Sequence, residues 1–113
     1  VSTSLVCFLA AWMMLLFGFK QTNDSTPPET ELFKKGRVVY MTRCISCHST
    51  DPKKDGPLGP SVAGSSRELL ELRVVHGTYP ENYQPKLKSK LMQPMPELAN
   101  DIDALYEYLK LTG

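Results

Sequence analysis

Cys44-Ile45-Ser46-Cys47-His48 places two thiols and an imidazole within five residues of a 113-residue chain. The C-x-x-C-H order suits covalent attachment of a c-type haem. Two thiols add across the two vinyl groups on one edge of the ring, and two intervening residues on a helical turn set both sulfurs along that edge. The adjacent imidazole then projects beneath the ring and ligates the iron as the proximal ligand. Two other chemistries use C-x-x-C. A structural zinc half-site needs two more Cys or His ligands, and the remaining candidates are Cys7, inside an apolar segment, and His76. A thioredoxin-like redox pair expects a strand–helix–strand context, and no strand pattern is convincing here.

The elements that must position this motif lie between residues 31 and 113. Glu31 to Ser46 reads as a first helix, with Leu32, Val39 and Tyr40 among its apolar positions. Residues 48–64 form a Pro- and Gly-rich loop. Ser65-x-x-Glu68 is a capping box for a second helix that runs to about His76, with Gly77 as its stop. Thr78 to Glu97 contains Pro80, Pro85, Pro94 and Pro96, which excludes a long helix and predicts an ordered loop. Asn100 caps a last helix whose apolar stripe is Ile102, Leu105, Leu109 and either Tyr106 or Tyr108. The expected fold class is therefore all-α, three to four short helices. Their core is thin, and a domain of this size usually needs a staple or a bound cofactor. The pentapeptide supplies one.

The rest of the chain has a different character. Val1 to Phe19 carries no charged side chain, and Leu5 to Phe19 is wholly apolar or Gly. Nineteen helical residues span about 28 Å, close to the hydrocarbon thickness of a bilayer. A cleaved signal peptide needs a basic n-region and a small-residue cleavage site. Neither is present, since Gly18-Phe19-Lys20 is not an Ala-x-Ala site. We expect residues 1–20 to be a retained transmembrane anchor, with Cys7 a small apolar residue inside it. Residues 21–30, with Pro27-Pro28, form a flexible tether. Residues 31–113 form the folded domain. Thirteen basic and twelve acidic residues give a net charge of +1, which argues against a nucleic-acid-binding function. Three cysteines cannot complete a disulfide framework.

Residues 31–113 resemble a class I monohaem cytochrome c. Gly36 and Tyr40, eight and four residues before Cys44, match the family's first-helix Gly and aromatic. Gly59-Pro60-Ser61-Val62-Ala63-Gly64 resembles its G-P-x-L-x-G loop, and Ala104 to Lys110 its last helix. The resemblance implies that Gly36 permits a close crossing with the last helix. It also implies that the Pro60 carbonyl accepts the Nδ1 proton of His48, fixing the ring and raising its basicity, and that a Met thioether is the distal ligand. Met13 and Met14 are in the anchor, and Met41 is on the first helix. Met92 and Met95 remain. Met95-Pro96 matches a common Met-Pro dipeptide of the family. Spacing favours Met92, which lies sixteen residues before Tyr108, against thirteen for Met95. The expected iron ligands are His48 and Met92, with Met95 the alternative.

His76 is the other imidazole and reads as a helix-end residue. Tyr79 and Tyr83 are candidates to donate hydrogen bonds to a haem propionate. Lys86, Lys88 and Lys90 form an alternating basic run, either a solvated face or a steering surface for an acidic redox partner. A haem with both axial positions filled by protein binds no substrate readily and cycles between ferrous and ferric states with little rearrangement. The expected function is single-electron transfer rather than enzymatic turnover. The expected partners are a quinol-oxidising complex, a terminal oxidase or a reaction centre, met as a tethered shuttle or as a fixed subunit. Haem c is attached outside the bacterial cytoplasm, so the domain is expected on the periplasmic side of the inner membrane. A haem sensor or small catalytic haem protein is the alternative, and it requires a labile sixth ligand.

Overall fold

The structure, a computed structural model, describes Gly18 and residues 29–112. Apart from Gly18, Glu29 and Thr30, the expected anchor and tether lie outside the described residues. Among the described residues no helix is long and apolar enough to cross a membrane.

Helix α1 spans Glu31–Arg43. The Thr30 hydroxyl caps it by accepting from the Phe33 amide at 3.1 Å. Glu31 in its first turn and Arg43 in its last complement the helix dipole. The helix ends before Ser46, three residues earlier than expected. The Cys47 and His48 amides both reach the Cys44 carbonyl, at 3.2 and 2.9 Å. This tightening turns the attachment motif into a turn at the helix end.

Helix α2 is a short turn, Arg67–Leu70. Its cap is Ser66, whose hydroxyl accepts from the Leu69 amide at 3.1 Å. The expected cap, Ser65, instead donates to the Val62 carbonyl at 2.6 Å and closes the preceding loop. The helical path widens into a π-turn over Glu71–Val75. It finishes with the His76 and Thr78 amides sharing the Leu72 carbonyl, at 3.2 and 2.9 Å. Gly77 ends it at φ +71°, where a side chain would be strained.

After a Pro-rich stretch, Pro96 starts a 3₁₀ turn over Pro96–Asp101, which runs into helix α3, Ile102–Thr112. Asn100 is inside that turn and caps nothing, because Pro96 is pre-set for a first helical position and starts the path earlier. No strand occurs among the described residues, so the domain is all-helical.

The core lies where α1 crosses α3. A Cβ on Gly36 would fall 2.6 Å from the Ala104 carbonyl carbon and 2.8 Å from Tyr108 Cβ, so only glycine allows this approach. Tyr40, Ile102, Leu105, Tyr108 and Leu109 are buried around it, joined by Leu70, Val74, Val75 and Leu98. Tyr108 rather than Tyr106 completes the α3 stripe. It packs edge-on against Phe33 with ring centroids 5.2 Å apart. Leu32, in the first turn of α1, is exposed. Surface ion pairs join the elements: Lys35 to Asp101 at 3.1 Å and Arg67 to Asp103 at 2.6 Å.

Candidate haem-binding site

The turn after α1, the loop over 56–62, the π-turn and the segment over 86–95 surround a cleft open to solvent. It has two adjoining lobes, of about 130 and 270 Å³. Cys47, His48, Val62, Leu70, Val74, Leu91 and Met92 line both lobes. Cys44 and Met95 line the inner lobe together with the core residues Tyr40, Leu105 and Leu109. Ser61, Arg73, Tyr79, Tyr83 and Lys86 line the outer lobe. The walls are thus apolar toward the core and polar toward one end, which matches a ring with two carboxylates on one edge.

His48 is held on two sides. Its Nδ1 lies 2.8 Å from the Pro60 carbonyl oxygen. A carbonyl only accepts, so the proton resides on Nδ1 and Nε2 keeps its lone pair for a metal. A Cβ on Gly59 would lie 2.6 Å from His48 Cε1 and 2.8 Å from Nδ1, so glycine backbone forms one face of the ring's slot. The Leu58 and Gly59 amides donate to the Cys47 carbonyl at 3.1 and 2.9 Å. Gly56 donates to the Gly59 carbonyl at 2.8 Å, closing the loop on itself. A Cβ on Gly56 would fall 2.5 Å from the His48 carbonyl carbon. The Asp55 carboxylate accepts from the Ser61 amide at 2.8 Å and fixes the far side of the loop. Sequence analysis did not single out Gly56 or Asp55. Their signal was present in the Asp-Gly-Pro-Leu-Gly-Pro run, which is turn chemistry rather than chemistry of a site.

Cys44 and Cys47 are half-buried and are not joined to each other. Burial pushes the Cys44 thiol up to about 11, Arg43 beside it opposes that shift, and Cys47 adds to it. Among the described residues no group of three or more His, Cys, Asp or Glu converges on one point, as a zinc site of such ligands would need. The donor set fits a haem: two thiols on one turn, one imidazole with an oriented ring, and thioethers across the cleft. Bound there, a haem supplies an iron centre that gains and loses one electron.

Met92 and Met95 are both half-buried and packed against the core. Met92 lines both lobes with His48, whereas Met95 lines only the inner one. The Met95 amide donates to the Val74 carbonyl at 2.6 Å, fastening this segment to the π-turn. His76 is exposed and lines neither lobe. Tyr79 and Tyr83 stack with centroids 5.4 Å apart and ring planes 12° from parallel. Lys86 bends inward, its ammonium donating to the Ser61 carbonyl at 2.9 Å. Lys88 and Lys90 are exposed, as Lys86 is, and the bond to Ser61 sets Lys86 apart in the basic run. Arg73, which sequence analysis did not single out, enters the outer lobe.

No characterised protein and no solved structure matches the chain significantly. The family model for cytochrome c matches residues 33–112, well over half of the chain and nearly all of the domain. The chain therefore belongs to the cytochrome c family, haem-based electron carriers, with haem c attached covalently through Cys44 and Cys47.

Proposed function

We propose that this protein is a membrane-anchored monohaem cytochrome c that passes single electrons between membrane redox complexes, with His48 and Met92 as axial ligands. The observation that carries the reading is the pairing of His48 and Met92 along one cleft. His48 is locked with Nε2 free, and Met92 is the methionine that lines both lobes. A thioether opposite an imidazole favours the reduced iron and sets a higher potential than a second imidazole would. His48 keeps its orientation through the Pro60 carbonyl, so oxidation and reduction demand little ligand movement. Tyr79 and Tyr83, with Lys86 near them, offer donors and charge for the carboxylate edge.

The apolar run over residues 5–19 supports an anchor. With haem attached outside the cytoplasm, the domain stands on the periplasmic face of a bacterial inner membrane. Its donors and acceptors are of the quinol-oxidising, terminal-oxidase or reaction-centre kind, served as tethered shuttle or subunit.

The test is the optical spectrum of detergent-solubilised chain, oxidised, reduced, and reduced under carbon monoxide. A low-spin spectrum indifferent to carbon monoxide is expected. Met92→Ala is expected to open the site to carbon monoxide, while Met95→Ala leaves it closed. Rapid carbon monoxide binding by the unaltered protein would replace this reading with a sensor or catalytic one.

A further inference from the structure

The outer lobe contains a cation that neither haem attachment nor axial ligation requires. Arg73 projects from the π-turn and is half-buried. Among the described residues it forms no ion pair with a carboxylate. Its guanidinium joins two segments that are distant in sequence. Nη1 donates to the Gly77 carbonyl at 3.0 Å and Nη2 to the Met92 carbonyl at 3.4 Å. Its central carbon lies 4.7 Å from the Tyr79 ring centroid, on the same ring that stacks on Tyr83.

We propose that Arg73 is the positioning residue of the distal segment: its planar fork bridges the Gly77 and Met92 carbonyls and keeps Met92 closed over the cleft. The proposal rests on Met92 being the distal ligand. The segment over 78–95 contains no helix or strand to hold it. Its link to the π-turn at the Met95 amide secures the backbone three residues past Met92. Arg73 secures it at Met92 itself. The Gly77 carbonyl belongs to the left-handed residue that ends the π-turn, so one end of the bridge is anchored in fixed geometry. Tyr79 closes the opposite face of the guanidinium and limits the rotamers it can adopt. A lysine has no planar fork and cannot reproduce this bridge.

A brace of this kind sets how often the distal position opens. An exogenous ligand competes only for the open fraction, so its apparent affinity is scaled by that fraction. The measurement is therefore imidazole titration of the ferric holoprotein, full chain in detergent. Alongside it run the reduction potential and the ferric absorption band of the methionine–iron bond. Arg73→Gln is expected to raise apparent imidazole affinity about tenfold, the worth of a hydrogen bond to a charged donor. Arg73→Lys, which keeps the charge, is expected to leave the potential near that of the parent yet recover at most part of the protection. Tyr79→Leu should raise the affinity by about threefold.

A potential shifted in Arg73→Gln but not in Arg73→Lys, with imidazole affinity unchanged in both variants, would mean that Arg73 acts by charge alone, and would overturn the brace. If Arg73→Gln yields no holoprotein, Arg73→Lys decides the matter by the same titration. Met92→Ala separates this proposal from the ligand assignment beneath it. Loss of the methionine band in Met92→Ala, with no imidazole effect in the Arg73 variants, defeats only the brace. Survival of the band defeats the ligand assignment and the brace together.

Discussion

The helix crossing and the cleft wall are built by opposite means. At the crossing, side chains satisfy one another: Tyr40, Ile102, Leu105 and Leu109 are at most 2 % exposed, and Gly36 lets the backbones meet. In the wall, part of the apolar surface stays uncovered among the described residues. Leu58, Leu87 and Leu91 remain 51 %, 47 % and 65 % exposed, and all three line the cleft. Backbone bonds and single polar contacts hold the wall in shape, as between His48 and Pro60 or Lys86 and Ser61. One region carries its own hydrophobic stabilisation, and the other obtains its share from the haem surface.

The largest expected effect tests that contrast directly. Replacing Cys44 and Cys47 together by Ala should remove the haem and strip amide-exchange protection from residues 50–66 and 78–95. The α1–α3 crossing should retain the residual protection. Equal loss across both regions would break the comparison.

Next in size is Gly36→Ala, which forces a methyl into the Ala104 backbone. The holoprotein should lose about 2–3 kcal/mol in a denaturant titration, with its haem spectrum intact. A Cβ at Gly64 meets nothing within 4 Å, so Gly64→Ala pays only for its φ of +73° and should cost about 1 kcal/mol.

Tyr40 stands at the joint of the two regions, buried in the crossing while its hydroxyl donates to the Ser49 carbonyl at the start of the wall. Tyr40→Phe should cost about 1 kcal/mol. Burial, with smaller contributions from Cys44, Tyr108 and Asp51, pushes the Tyr40 phenol up to about 12. The unfolded chain releases this proton near pH 10 and the folded one near 12. Stability should therefore fall as pH climbs from 10 to 12 and level off above. In Tyr40→Phe that part of the decline should be absent.

The smallest effect is expected at Asp103. Its carboxylate and that of Glu71 raise the Arg67 guanidinium above its ordinary range, but the group is solvated. Asp103→Asn should shift the melting temperature slightly at low salt and not at all at high salt.

The same division governs what could be read in advance. Cys44, Cys47 and His48 were legible because covalent chemistry fixes both type and spacing. The helices were legible because α3 carries a periodic stripe and because α1 needs Gly36. Ser65 and Asn100 were misread as caps, since each side chain has the right chemistry and the neighbouring backbone decides which residue caps. Ser66 precedes the first helical turn by one residue, and Pro96 starts the last helical path before Asn100. The wall resisted the sequence most. Nothing periodic marks Gly56, Asp55 or Arg73, because their partners are carbonyls and amides that every residue carries.

The Gly36–Ala104 contact also bears on biosynthesis. Its second half lies in the last helix of the domain, so a ribosome releases α1 and the Cys-x-x-Cys-His turn well before anything exists for Gly36 to close against. Throughout that interval the two thiols sit on an open chain. Chain order and fold topology together make the crossing, and with it the core side of the cleft, the last part of the domain to form.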